Sequence, residues 1–159
     1  MPPKTTAEFL LEDETRASRF GAALAHLLRP GDTLLLDGPV GAGKSHVARA
    51  AIRALCGAET EVPSPTFTLV QTYDTPGAEV WHADLYRLTD PSEVEELGLT
   101  EAMEHAIVLI EWPDRLGSLR PATAITLRLQ PEGDARRAGL TGAPTDLLAC
   151  LGLAPGGTG

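Results

Sequence analysis

Apolar and polar positions alternate with three distinct rhythms along this chain. After Asp13, residues Ala17, Phe20, Leu24, Leu27 and Leu28 recur at helical spacing, with Asp13 as N-cap and Pro30-Gly31 as the stop. Thr33-Leu34-Leu35-Leu36 and Ala106-Ile107-Val108-Leu109-Ile110 are short apolar runs without alternation, the pattern of strands buried on both faces. A second helix carries Val47, Ala48, Ala51, Ile52 and Leu55 on one side and is closed by Gly57. Period-two patterning predicts strands over 68–73 and 79–85 around the turn Thr75-Pro76-Gly77. It predicts a further strand over 124–129, with 136–141 as its return partner.

Shorter signals fill the gaps. Glu8 to Leu11 reads as a first strand. Asp90-Pro91-Ser92-Glu93 starts a helix, with Asp90 as N-cap, Pro91 at the first helical position and Glu93 reaching back to the cap. Gly98 stops it, and a second short helix is expected from Thr100 to His105. Pro144 to Leu151 suggests a closing helix, and 154–159 a disordered tail. Strands alternating with helices, interrupted by a hairpin, predict a single α/β domain over 1–153 with a mixed, mostly parallel central sheet.

Size and charge narrow the function. The chain has 159 residues, enough for one domain that buries roughly 68–70% of its unfolded surface. No apolar run reaches the ~20 residues that cross a bilayer, and Met1 to Thr6 lacks the apolar stretch of a signal peptide, so a cytoplasmic location is expected. Cys56 and Cys150, far apart, are expected as free thiols. The net charge of −9 opposes direct binding to RNA or DNA, whose phosphates demand a basic face. Any role on nucleic acid is therefore expected to run through a partner.

The strongest chemical signal is Gly38-Pro39-Val40-Gly41-Ala42-Gly43-Lys44-Ser45, which matches G-x-x-x-x-G-K-[ST] between a buried strand and an amphipathic helix. Glycines let backbone N–H groups curl toward phosphate oxygens, and the helix start adds partial positive charge. Lys44 is suited to the β- and γ-phosphates of ATP, and the Ser45 hydroxyl to Mg²⁺. His46 completes the expected nucleotide-contacting stretch, as an ordinary helix residue without a catalytic role.

Hydrolysis also needs a carboxylate near the metal and a group that orients water. Asp37, Asp84 and Glu111 are the candidates. Glu111 ends an apolar strand, where α/β proteins place ligand-binding groups, although aspartate is the usual residue there. Strand period puts His82 and Asp84 on one face and Trp81, Ala83 and Leu85 on the other; an exposed polar strand face fits that spacing equally well. Asp37, next to the loop, reads as structural. Ser64-Pro65-Thr66-Phe67-Thr68 lies where a switch loop would, and a turn before a strand explains it nearly as well.

Together, Gly38 to Ser45, Ser64 to Val70, His82-Ala83-Asp84-Leu85-Tyr86-Arg87-Leu88, Asp90 to Gly98 and Ile110-Glu111-Trp112-Pro113 resemble the TsaE (YjeE) family, over about residues 33–121. The resemblance implies a P-loop NTPase-like three-layer fold. It implies an ATPase needed for threonylcarbamoyladenosine in tRNA, which acts on a complex of TsaB and TsaD and reaches tRNA only through it. Carried over by position, Lys44, Asp84 and Glu111 are the catalytic set, and Ser45, Asp84 and Glu111 serve Mg²⁺. Thr66 belongs to a nucleotide-responsive loop and Trp112 lies near the nucleotide. Lys44-Ser45-His46 stands where the family commonly has lysine and two threonines, and the serine keeps the hydroxyl. No arginine finger is evident in cis, so slow intrinsic turnover is expected. A small-molecule or nucleotide kinase and an ATP-gated binding module remain as alternatives. A GTPase is disfavoured by the lack of an Asn/Thr-Lys-x-Asp segment.

Overall fold

The computed structural model describes residues 4–39, 43–62, 69–90 and 92–144. The strands are β1 (Lys4–Leu11), β2 (Thr33–Asp37), β3 (Val70–Thr75), β4 (Ala78–Asp84), β5 (Ile107–Glu111), β6 (Ile125–Glu132) and β7 (Ala135–Pro144). The helices are α1 (Glu14–Leu27), α2 (Lys44–Cys56), α3 (Ser92–Glu96) and α4 (Leu99–His105), and a 3₁₀ segment spans Pro113–Leu119. The seven strands form one sheet in the order β1-β7-β6-β2-β5-β4-β3. The neighbours β6, β2, β5 and β4 run parallel, β1 shares their direction, and β3 and β7 oppose it.

Alternation within the buried strands divides the core in two. Leu34, Leu36, Ile107 and Leu109 pack under α1 and α2 with Phe20, Leu24, Val47 and Ile52. Leu35, Val108 and Ile110 face the other way, onto Val94 of α3, Leu99 and Ala102 of α4, and Leu116. Helices on both faces of a largely parallel sheet make the three-layer architecture expected from the sequence. Each fully buried large apolar side chain contributes roughly 1.5–3 kcal/mol. The α1–α2 contact is close at Gly21, where a Cβ would sit 2.8 Å from the Val47 carbonyl oxygen and 3.2 Å from the Ala50 Cβ.

Most expected elements are present, with shifted ends. Asp13 caps α1 by accepting from the Arg16 N–H, and Gly57 closes α2. Strand β1 starts at Lys4 rather than Glu8, because it pairs antiparallel with β7 along its whole length and the polar residues at its start are ladder partners. The capping of α3 differs from expectation. Asp90 Oδ1 accepts from the Ser92 N–H, but the Glu93 carboxylate accepts from Thr89 Oγ1, so the reciprocal arm of the box turns to the preceding side chain. Pro144 ends β7; the rest of the expected closing helix, the tail, Pro91, Thr66 and Thr68 lie outside the described residues. The 3₁₀ segment after Trp112 carried no apolar rhythm to announce it. Among the described residues, no helix is long and apolar enough to cross a membrane.

Candidate functional site

Parallel pairing assembles the site. Leu36 of β2 is the register partner of Glu111 of β5, and Glu111 is the partner of Asp84 of β4. Three neighbouring strands therefore deliver the start of the phosphate loop and two carboxylates to one edge of the sheet, the carboxyl edge where α/β folds hold ligands. The Leu85 N–H donates to the Glu111 carbonyl at 3.1 Å and tightens the junction.

Glu111 is the hub. Its side chain is 2% exposed by residue, and both oxygens are engaged. Ser45 Oγ donates to Oε1 at 2.9 Å, and His82 Nε2 lies 2.7 Å from Oε2. The apolar run that precedes Glu111 thus ends on a carboxylate turned inward onto the loop's last residue. Asp84 is also buried, and its Oδ1 accepts from the Tyr86 N–H at 3.0 Å. Burial is the main cause that raises the Asp84 pKa; the nearby Glu111 charge adds to it, while the Tyr86 hydrogen bond, His82 and Lys44 oppose it.

Lys44 folds back over its own loop. Its Nζ donates to the Gly38 carbonyl at 2.5 Å and stands 3.4 Å from the ring centroid of Trp112. Burial lowers its pKa, against the pull of Glu111, Asp37, Asp84 and Asp114. Trp112 holds its ring there from a left-handed backbone, φ 60°, immediately before Pro113, and Tyr86 lies against the same ring at 5.0 Å between centroids. A left-handed conformation in a bulky residue costs about 1–2 kcal/mol. The packing of Trp112 against Lys44 and Tyr86 offsets that cost.

The remaining expected residues fall into three groups. Gly38, Pro39 and Gly43 frame the loop, with Gly43 at φ 95°, while Val40, Gly41, Ala42 and Thr66 lie outside the described residues. His46 turns its side chain toward α1, where Nε2 is 2.8 Å from Ser18 Oγ and 3.2 Å from the Glu14 carbonyl oxygen. Asp37 makes two local contacts: Oδ1 accepts from the Gly38 N–H, and Oδ2 pairs with Arg128 at 3.1 Å.

Two features of the site carry no local sequence signal. His82 was placed on the face of Asp84, but nothing in the pattern said that it meets Glu111. Arg136, from β7, comes to the loop: a Cβ on Gly43 would lie 3.5 Å from its Nε, an atom that is buried without a partner among the described residues. Its position depends on the β6–β7 hairpin crossing beside β2, which no local signal encodes.

The oxygen set fits a hard divalent cation. A hydroxyl and a carboxylate in contact, with a second carboxylate one strand away, are the ligand types that Mg²⁺ takes. Among the described residues, no group of three or more His, Cys, Asp and Glu side chains could hold a metal ion by itself. A Mg²⁺ bound here would share its ligands with a nucleotide and water, as is usual for that ion.

The family model for the threonylcarbamoyl adenosine biosynthesis protein TsaE matches residues 11–138. The chain belongs to the TsaE family. The match begins before β2 and ends within β7, so it takes in the hairpin that carries Arg136, beyond the stretch where the motifs resemble the family. A TsaE protein from Rickettsia bellii is 40% identical over 131 residues, 82% of this chain and 91% of that one. The Bacillus subtilis TsaE protein is 34% identical over 127 residues, 79% of this chain and 77% of that one. Among solved structures, Bacillus subtilis YdiB superposes with a TM-score of 0.74, covering 94% of each chain at 20% identity, which supports the fold. TsaE membership ties this chain to the biosynthesis of threonylcarbamoyladenosine in tRNA.

Proposed function

We propose that this chain is the ATP-binding and ATP-hydrolysing component of the tRNA threonylcarbamoyladenosine system, and that it acts on a TsaB–TsaD complex to sustain that complex's turnover. The observation that carries the reading is the 2.9 Å contact from Ser45 Oγ to Glu111 Oε1, which joins the end of the phosphate loop to a strand-end acid. A glycine-rich turn without nucleotide chemistry has no need of that link.

The roles follow from position. Loop N–H groups and Lys44 bind the phosphates and stabilise charge that develops on the leaving oxygen. Ser45 and Glu111, with Asp84 beside them, would hold Mg²⁺, whose contribution when bound is to neutralise charge on the β- and γ-phosphates. Asp84, on the neighbouring strand, orients the attacking water. Trp112 and Tyr86 wall the site, and Thr66 belongs to a segment that responds to the nucleotide. Turnover by the chain alone is slow, and the partner surface completes the site. With its net charge of −9, the chain meets tRNA through the complex and not by itself.

Calorimetric titration with ATP, ADP and GTP, in Mg²⁺ and in EDTA, tests this reading. Expected are binding of adenine nucleotides, tighter ATP binding in Mg²⁺, and loss of binding in Lys44→Ala. Undiminished binding in Lys44→Ala would overturn the phosphate-loop assignment.

A further inference from the structure

His82 is 2% exposed, has no place in the roles above, and touches the hub carboxylate. It sits on β4, between β5 and the edge strand β3, and its register partner on β5 is Leu109, two residues before Glu111 on the same strand face. Burying an imidazole among apolar strands is costly unless a partner compensates. The compensation is one contact, Nε2 to Glu111 Oε2 at 2.7 Å. The other ring nitrogen, Nδ1, is buried without a partner among the described residues.

That asymmetry fixes the tautomer. An ionised carboxylate only accepts, so Nε2 carries the hydrogen. We propose that His82 is a positioning residue for the metal-binding carboxylate: by donating to Oε2 it fixes the rotation of the Glu111 carboxyl group and keeps Oε1 directed at Ser45. The inference rests on the assignment of Ser45 and Glu111 to Mg²⁺ above. A carboxylate tied at one oxygen loses less freedom when the other takes a cation, and groups that orient metal ligands in this way typically change metal affinity about 10–100-fold when removed.

The test compares wild type with His82→Phe, which keeps a flat ring but has no donor, and His82→Gln, whose amide N–H reaches to a similar depth. ATP affinity is measured in EDTA and across a Mg²⁺ series. Expected for His82→Phe is a 10–100-fold higher Mg²⁺ requirement, with affinity in EDTA within about twofold of wild type, and for His82→Gln a substantial recovery of the Mg²⁺ response. A His82→Phe protein with the wild-type Mg²⁺ response overturns the proposal, as does an equal loss in EDTA and in Mg²⁺, which marks a merely structural role. If wild type itself shows no Mg²⁺-dependent gain, the metal assignment falls and this inference falls with it. Nitrogen-15 NMR of the histidine rings in metal-free wild type gives an answer even if His82→Phe does not fold. A fixed Nε2–H tautomer for His82 is expected, and an Nδ1–H tautomer or a rapidly exchanging ring would overturn the inference.

Discussion

Ser45 and Glu111, 66 positions apart in sequence, share a hydrogen bond of 2.9 Å that ties the start of α2 to the end of β5. Glu111→Gln keeps the shape and one donor-acceptor group but removes the charge. ATP hydrolysis is expected to fall about 10²–10³-fold in this variant, the scale of losing one electrostatic contact at a reacting centre. Its melting temperature should stay near that of wild type. Glu111→Ala should lose stability as well, because His82 Nε2 is left buried without a partner, at about 1–3 kcal/mol. Parallel hydrolysis assays and thermal melts separate the two effects.

Lys44 lies over the Trp112 ring at 3.4 Å, and in its proposed role the ammonium turns to a phosphate. Adding ATP or ADP is therefore expected to change Trp112 fluorescence. Trp81 lies on β4, so Trp81→Phe isolates the Trp112 signal. Emission from Trp112 that ignores saturating nucleotide would contradict the placement of Lys44 and Trp112 in one site.

Asp84 is held above its ordinary carboxylate range, chiefly by burial. A folded pKa above the unfolded value means that the folded state binds the extra proton. Stability from this group is full below the unfolded pKa and is lost as pH rises through the raised folded pKa. Asp84→Asn is therefore expected to melt higher than wild type at neutral pH without Mg²⁺. The gain should shrink as pH falls toward the ordinary Asp range near 3.8. Equal or lower stability of the variant at neutral pH would show that burial does not dominate. Hydrolysis by the same variant should drop sharply, which would make Asp84 a residue whose stability cost is retained for function.

Gly21 allows α1 and α2 to touch. A Cβ there would meet the Val47 carbonyl at 2.8 Å, so Gly21→Ala must push the helices apart. The expected loss is about 1–3 kcal/mol, read from denaturant melts, despite the better helix propensity of alanine. A stabilised variant would mean that the contact yields at no cost.

The buried strands, the loop–helix junction and the caps of α1 and α2 were legible in the sequence because they are written locally. Leu34-Leu35-Leu36 needs no partner to read as a buried strand, and Gly38 to Ser45 carries its chemistry in its spacing. What stayed hidden is relational. Period two placed His82 beside Asp84 on one face, yet the contact with Glu111 depends on β4 lying next to β5 in parallel register. Arg136 reaches Gly43 only because β7 folds back beside β6, the neighbour of β2. Strand β1 starts earlier than its pattern suggests for a similar reason, since its first residues pair with β7. The resemblance to the TsaE family pointed to Asp84 and Glu111 where spacing alone left Asp84 undecided, and the sheet register now sets both at one edge.

The most direct test of the central claim is ATP hydrolysis by the purified chain, alone and with TsaB and TsaD from the same organism. Slow, Mg²⁺-dependent turnover is expected, rising when the partners are added and abolished by Lys44→Ala. Turnover indifferent to the partners, with phosphate passed to a small acceptor, would contradict it and favour a kinase.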